Sequence, residues 1–304
     1  MSEQGKDLRI MTSILNNSEG LRPALIAGGG DLPVLIARQA SRLGLPLLVY
    51  CAGEIEPFSS LEGVESVPLP GGLDLCAAVG DMRRRGANSV IMAGMVPKNL
   101  MYGELSDPSL REIVGEVDND DHSLLGRVVA AFEAAGLRVL PYAALLGDSL
   151  ATEGEIAGRR PTEEELADIE LGRRVLSVTL PLSFGQGVVT ARGAVVAVEA
   201  MEGTDAMLRR AGSLIMERAA RGRTPPGGVL VKMMRPDQDV RFDVPVVGVE
   251  TLRNMKSAGL TCLAIESGRT LMIDADSFKE LASPLGISVW GTRGSAPLFG
   301  GEGT

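Results

Sequence analysis

At 304 residues and 45% hydrophobic content, the chain is long enough for two domains of ordinary size, each with its own core. A formal net charge of −9 and an aromatic content of 3% supply neither the electrostatic attraction nor the stacking surfaces that nucleic-acid binding requires, so nucleic acid is not an expected partner. One histidine and three scattered cysteines (Cys51, Cys76 and Cys262) exclude a multi-histidine or thiolate metal centre and suit reduced thiols in a reducing compartment. The start of the chain lacks a basic region followed by an apolar core. No apolar run is long enough to span a bilayer, so a cytoplasmic protein is expected, with at most peripheral membrane contact.

Residues 1–21 are polar and weakly patterned and read as a flexible leader. The segment ALIAGGGDLPVLIARQASRLG then reads as strand, glycine turn and helix, and LPLLVYCAG as a second strand. LDLCAAVGDMRRRGANS is helical and leads into a third strand, VIMAGMV. DHSLLGRVVAAFEAAGLRVLPYAALL repeats the order of helix, glycine stop and strand. Strands alternating with helices predict a Rossmann-like parallel sheet domain over residues 22–150. The charged stretch 151–175, in which Thr162 and Glu165 have the spacing of a capping box, predicts a linker helix.

A second, mixed α/β domain is expected over residues 176–291. GQGVVTARGAVVAVEAMEGT reads as two strands joined near Arg192 and Gly193, followed by the helix DAMLRRAGSLIMERAARG and the strand GGVLVKMMRP. The run from Asp243 to Gly291 reads as helix, strand, strand, helix, strand, and residues 292–304 as a flexible tail. The class is α/β, with two unlike sheets in succession.

Four segments carry residues suited to chemistry. The turn Gly28-Gly29-Gly30-Asp31 lets backbone amides approach a phosphate at a helix N-terminus. It lacks the third glycine of a dinucleotide fingerprint, and the plainer reading is a tight turn with Asp31 as N-cap and Pro33 in the first helical turn. Asp118-Asn119-Asp120-Asp121-His122 places three acids before a helix, where they either cap it or line a site. Around Gly203, the acids Glu199, Glu202 and Asp205 crowd with Thr204 between a strand end and a helix start. An oxygen-only set of this kind suits magnesium or manganese, and the plainer reading is that Thr204 or Asp205 caps the helix. Finally, Lys232, Arg235, Asp239, Arg241 and Asp243 interleave charges after an apolar strand. Asp243 directly precedes the apolar run Val-Pro-Val-Val-Gly, where a carboxylate is costly unless paired, hydrogen-bonded or metal-bound.

Taken together, the blocks IAGGGDLPVLIA, DDHSLL, RRPTEEELADIELG, GQGVV…VAVEAMEGTDAML and RFDVPVVG resemble the LpxI family of UDP-2,3-diacylglucosamine pyrophosphatases, from about residue 22 to residue 291. The resemblance implies hydrolysis of UDP-2,3-diacylglucosamine to 2,3-diacylglucosamine 1-phosphate (lipid X) and UMP, with water attacking the α-phosphorus. It also implies a divalent metal, typically Mg2+ with Mn2+ as the alternative, a ligand cleft between two α/β domains, and a homodimer. It points to Asp243 as the catalytic aspartate and to Asp205 as a second. Asp243, Asp205 and Glu202 are the expected metal ligands. Gly29, Gly30, Asp31, Asp121, Gly203, Thr204 and Lys232 are the expected substrate contacts. Two rival readings are a nucleotide-dependent oxidoreductase built on the Gly28–Gly30 turn and a non-catalytic nucleotide-sugar or lipid-binding protein.

Overall fold

A computed structural model describes residues 20–69, 75–94, 121–182, 185–222, 225–236, 238, 239, 241 and 244–294. Residues 1–19 of the expected flexible leader, most of the tail and the acids Asp118, Asp120 and Asp243 lie outside these residues. The chain divides into two units, the first reaching Gly147 and the second beginning at Asp148, with Arg241 falling in the first.

The first unit is built on five parallel strands: β1 (Pro23–Ala27), β2 (Leu47–Cys51), β3 (Val64–Pro68), β4 (Ser89–Ala93) and β5 (Arg138–Val139). Their order, β3-β2-β1-β4-β5, is that of doubly wound α/β sheets, which reverse direction between β1 and β4. β1, β2 and β4 read as near-continuous apolar runs because both faces are covered. On one face Ala24, Leu48, Tyr50, Val90 and Met92 pack with Ala78 and Met82 of α2 (Leu75–Arg84) and with Val129 and Phe132 of α3 (Asp121–Ala134). α1 (Leu32–Arg42) contributes nothing to that cluster, contacts β1, β2 and β3, and buries Ile36, Ala37 and Ala40. The segment VESVP of β3 had no strand reading in the sequence. As an edge strand with one neighbour it is only half-buried, so it carries no apolar run to announce it.

The second unit has a six-stranded mixed sheet in the order β6-β13-β11-β9-β7-β8: β6 (Gly154–Ala157), β7 (Gly187–Ala191), β8 (Ala194–Val198), β9 (Val229–Lys232), β11 (Cys262–Glu266) and β13 (Ser288–Thr292). β9, β11 and β13 run parallel, while β6, at one edge, is antiparallel to β13 and the β7–β8 hairpin completes the other side. A separate parallel pair joins β10 (Val246–Val247) to β12 (Leu271–Met272). One face of the large sheet carries α4 (Glu163–Thr179), whose Ile169 and Leu176 pack on Val188, Val231 and Ala264. The opposite face carries α5 (Gly203–Ala220), α6 (Val249–Ser257) and α7 (Ala275–Leu285), which meet Val189, Leu230, Leu263 and Val289 through Met207, Leu208, Met255 and Phe278.

The segment read as a linker helix is thus a strand and a packed layer of the second unit. Its capping box is formed: Glu165 N–H donates to Thr162 Oγ1 at 3.2 Å and Thr162 N–H to Glu165 Oε2 at 2.8 Å. Gly172 lets α4 lie close on the sheet, since a Cβ there would stand 2.5 Å from Val231 Cγ2. Cys51 and Cys262 are buried, free thiols, consistent with reduced, non-ligating cysteines. Among the described residues no helix is long and apolar enough to cross a membrane.

Candidate active site

The best-formed polar cluster of the second unit grows out of the β7–β8 hairpin. The hairpin turns on Arg192 (φ 53°) and Gly193 (φ 73°), the left-handed pair that a tight two-residue turn requires. Asp168 of α4, 2% exposed, locks the turn by accepting the N–H groups of Arg192 and Gly193 at 2.7 Å each. The hairpin delivers Glu199 at the end of β8, where its N–H donates to the Gly187 carbonyl at 2.8 Å. A short turn then leads into α5 at Gly203, whose φ of 78° needs no strain in a residue without Cβ.

Thr204 stands in the first turn of α5. Neither it nor Asp205 caps the helix; Glu202 occupies the N-cap position and makes no side-chain cap bond. The Thr204 hydroxyl instead donates to Glu199 Oε1 at 2.8 Å. Lys232, the last residue of β9, points its ammonium to the same place, donating to Thr204 Oγ1 at 3.1 Å and to the Val246 carbonyl at 3.3 Å. Burial pushes the Lys232 ammonium below the ordinary lysine range, and the charges of Glu199 and Asp205 oppose that shift. A buried ammonium beside a hydroxyl, at the first turn of a helix and the carboxyl end of a sheet strand, is an arrangement that receives a phosphoryl oxygen.

The structure therefore gathers Gly203, Thr204 and Lys232, three of the expected substrate contacts. Asp205 lies one residue on and is exposed, with Oδ1 accepting from Asn254 Nδ2 at 2.9 Å. Glu202 is directed elsewhere: Arg210 Nη2 pairs with its Oε1 at 2.5 Å, and that guanidinium holds its carboxyl below the usual range. Its other oxygen accepts from Ala200 N at 3.2 Å. No group of three potential ligands comes together among the described residues, which do not include Asp243. Arg241 is one of the interleaved charges that follow the apolar strand. It pairs with Glu133 at 3.0 Å within the first unit, and its carbonyl accepts from Tyr142 N–H at 3.3 Å.

In the first unit, Gly29, Gly30 and Asp31 are exposed at the β1–α1 turn, at the carboxyl ends of β1 and β4 where the strand order reverses. Asp31 is the N-cap of α1 but makes no side-chain cap bond, and a proline falls in the first two helical positions. The turn is held from beneath, with Gly28 N–H donating to the Ala93 carbonyl at 2.8 Å. A Cβ on Gly94 would stand 2.8 Å from Gly28 C and Gly29 O. Close backbone packing thus demands glycine at position 94 as well as in the turn it supports. Asp121 opens α3, its side chain lying outside the described residues. The Gln186 N–H, which donates to Glu199 Oε2 at 3.2 Å, and the Val246 carbonyl are site groups that residue type does not announce, because they belong to the backbone.

Both units are α/β, one with a glycine turn at its switch point and one with a buried lysine at a strand end. Residues 22–149 match the LpxI N-terminal domain and residues 152–290 the LpxI C-terminal domain. The chain belongs to the LpxI family. It is 33% identical over 279 residues to the "UDP-2,3-diacylglucosamine pyrophosphatase LpxI" of Caulobacter vibrioides, an alignment covering 88% of this chain and 96% of that protein. Among solved structures, an L-amino acid ligase from Bacillus licheniformis aligns with 60% of this chain and 40% of its own, at 18% identity and a TM-score of 0.25. A likeness of that degree carries no argument.

Proposed function

We propose that this chain is a pyrophosphatase that hydrolyses UDP-2,3-diacylglucosamine to lipid X and UMP, with water attacking the α-phosphorus. The observation that carries this reading is the Lys232 ammonium held on Thr204 at 3.1 Å, inside the region matching the LpxI C-terminal domain. A pyrophosphate resists hydrolysis because its own negative charge repels the nucleophile. Lys232 offsets that charge and Thr204 Oγ1 holds the ammonium in place, so the charge is met as it builds. Gly29 and Gly30, exposed at the β1–α1 turn, and Asp121 are further proposed contacts with the substrate.

The resemblance assigns the catalytic carboxylate to Asp243, with Asp205 beside Thr204 as the second. A divalent ion, Mg2+ or Mn2+, is part of the proposal and would supply charge neutralisation and a more acidic bound water. Asp205 and Asp243 are the residues proposed to hold it, and Glu202 is the weaker candidate because Arg210 already pairs with it. The homodimer and a peripheral position at the inner membrane surface, where a diacylated substrate resides, belong to the same proposal. Steady-state assay of Asp243→Ala tests it: turnover falls to near background while thermal unfolding is unchanged. Near-native turnover by that variant would remove Asp243 from the mechanism. Assay in excess chelator is expected to abolish turnover, and full activity there would remove the metal.

A further inference from the structure

Glu199 is the one acid of the Thr204 cluster that is buried, at 8% exposure, and both its oxygens are engaged. Oε1 accepts the Thr204 hydroxyl at 2.8 Å and Oε2 accepts the N–H of Gln186 at 3.2 Å. The backbone on either side of Gln186 is shaped around this residue. A Cβ on Gly187 would stand 2.7 Å from Glu199 Oε2, and a Cβ on Gly185 would collide with the Glu199 backbone carbonyl. Gly185 thus makes room for the Glu199 backbone, while Gln186 N–H and Gly187 form a cradle for its carboxylate.

The cradle has a consequence for the atoms that meet the substrate. A threonine hydroxyl has a single proton to donate. With that proton committed to Glu199, a lone pair of Thr204 Oγ1 faces the Lys232 ammonium, and the chain carboxylate–hydroxyl–ammonium is polarised in one direction. Lys232 has three N–H donors, and Thr204 and the Val246 carbonyl take two of them. Among the described residues no partner is recorded for the third, which is the donor assigned to an incoming oxygen. Glu199 at the end of β8 and Asp205 on α5 are the acids that face this ammonium among the described residues.

We propose that Glu199 is a positioning residue that acts through Thr204, holding the hydroxyl whose oxygen fixes the Lys232 ammonium that meets the phosphate, and is not a ligand of the metal. The proposal rests on the pyrophosphatase reading for its kinetic test, and a second arm is independent of activity. Thr204→Val, Glu199→Gln and the double variant are compared by kcat/KM on UDP-2,3-diacylglucosamine, with thermal midpoints recorded for each. Each single substitution is expected to lower kcat/KM about tenfold or more, and the double variant to lie within about threefold of the worse single one, because both remove the same interaction. Multiplication of the two losses would overturn the proposal, as would native kcat/KM in Glu199→Gln.

The independent arm is acylation of Lys232 by acetic anhydride at mildly alkaline pH, measured by mass spectrometry against Lys256 and Lys279 in the same sample. Glu199→Gln is expected to raise the relative reactivity of Lys232 severalfold, since loss of the carboxylate favours the free amine. Unchanged reactivity would contradict the proposal even if activity fell. If the wild type leaves the substrate intact, the substrate reading fails, and the acylation arm alone decides the role of Glu199. Should Glu199→Gln not fold, Glu199→Asp keeps the charge but withdraws it from Thr204. It is expected to lose kcat/KM severalfold with Lys232 reactivity near native, and full activity would overturn the proposal.

Discussion

An ammonium that is mostly buried resists being charged, yet charge is what the proposed phosphate contact requires of it. At Lys232 the two demands meet: burial lowers its proton affinity, and Glu199 and Asp205 oppose the shift. The free protein should therefore lose the charged form at a lower pH than an ordinary lysine, whose value is 10.5. Activity that needs the ammonium is fully present well below the folded value and falls as pH rises through it. The alkaline limb of kcat/KM, which reports the free enzyme, is expected below that ordinary value. A limb unmoved in Lys232→Arg, which stays charged at all relevant pH, would assign it to another group. Lys232→Met is expected to lower kcat/KM about a hundredfold, the scale of removing one preorganised donor from a charge-building site. Lys232 and Thr204 could be read from the sequence as candidates because their types and flanking strand signals were visible. Their meeting could not, since 28 positions separate them and only the pairing of β7 with β9 and the start of α5 bring them together.

At the scale of elements, the second sheet depends on contacts that tolerate no added volume. Gly172 of α4 faces Val231 and Val188, and a methyl at that position would stand 2.5 Å from Val231 Cγ2. Gly172→Ala would raise helix propensity but overpack this face, and a net loss of about 1–3 kcal/mol is expected from urea unfolding. A gain in stability would show that α4 has room to move off the sheet. Asp168→Ala removes the acceptor shared by the N–H groups of Arg192 and Gly193 from a position 2% exposed, leaving two turn donors to find other partners. A loss of about 2–4 kcal/mol is expected on the scale of charged hydrogen bonds, measured by the same unfolding experiment. In the sequence Asp168 looked like one more charge of a helical run, because nothing local shows which turn it reaches. The hairpin itself was legible from its apolar runs and the Arg192-Gly193 break. β6 and β3 were not, for they are edge strands whose patterns are interrupted by polar residues and glycine.

At the scale of the molecule, two unlike sheets were evident from the change in pattern near residue 176. The second unit nevertheless begins at Asp148, because the charged segment 151–175 buries one face of its helix on β7 and β9. A charged exposed face masks a packed one when the apolar stripe is narrow, as Ile169, Gly172 and Leu176 show in α4. The two family domains meet this division closely, at residues 149 and 152.

The central claim is that the chain cleaves a pyrophosphate at its uridylyl phosphorus. Hydrolysis of UDP-2,3-diacylglucosamine by the purified protein in oxygen-18 water, with Mg2+ present, tests it most directly. The account predicts lipid X and UMP as products, with the label in UMP. Label in the lipid phosphate would place the attack on the other phosphorus, and intact substrate would contradict the claim itself.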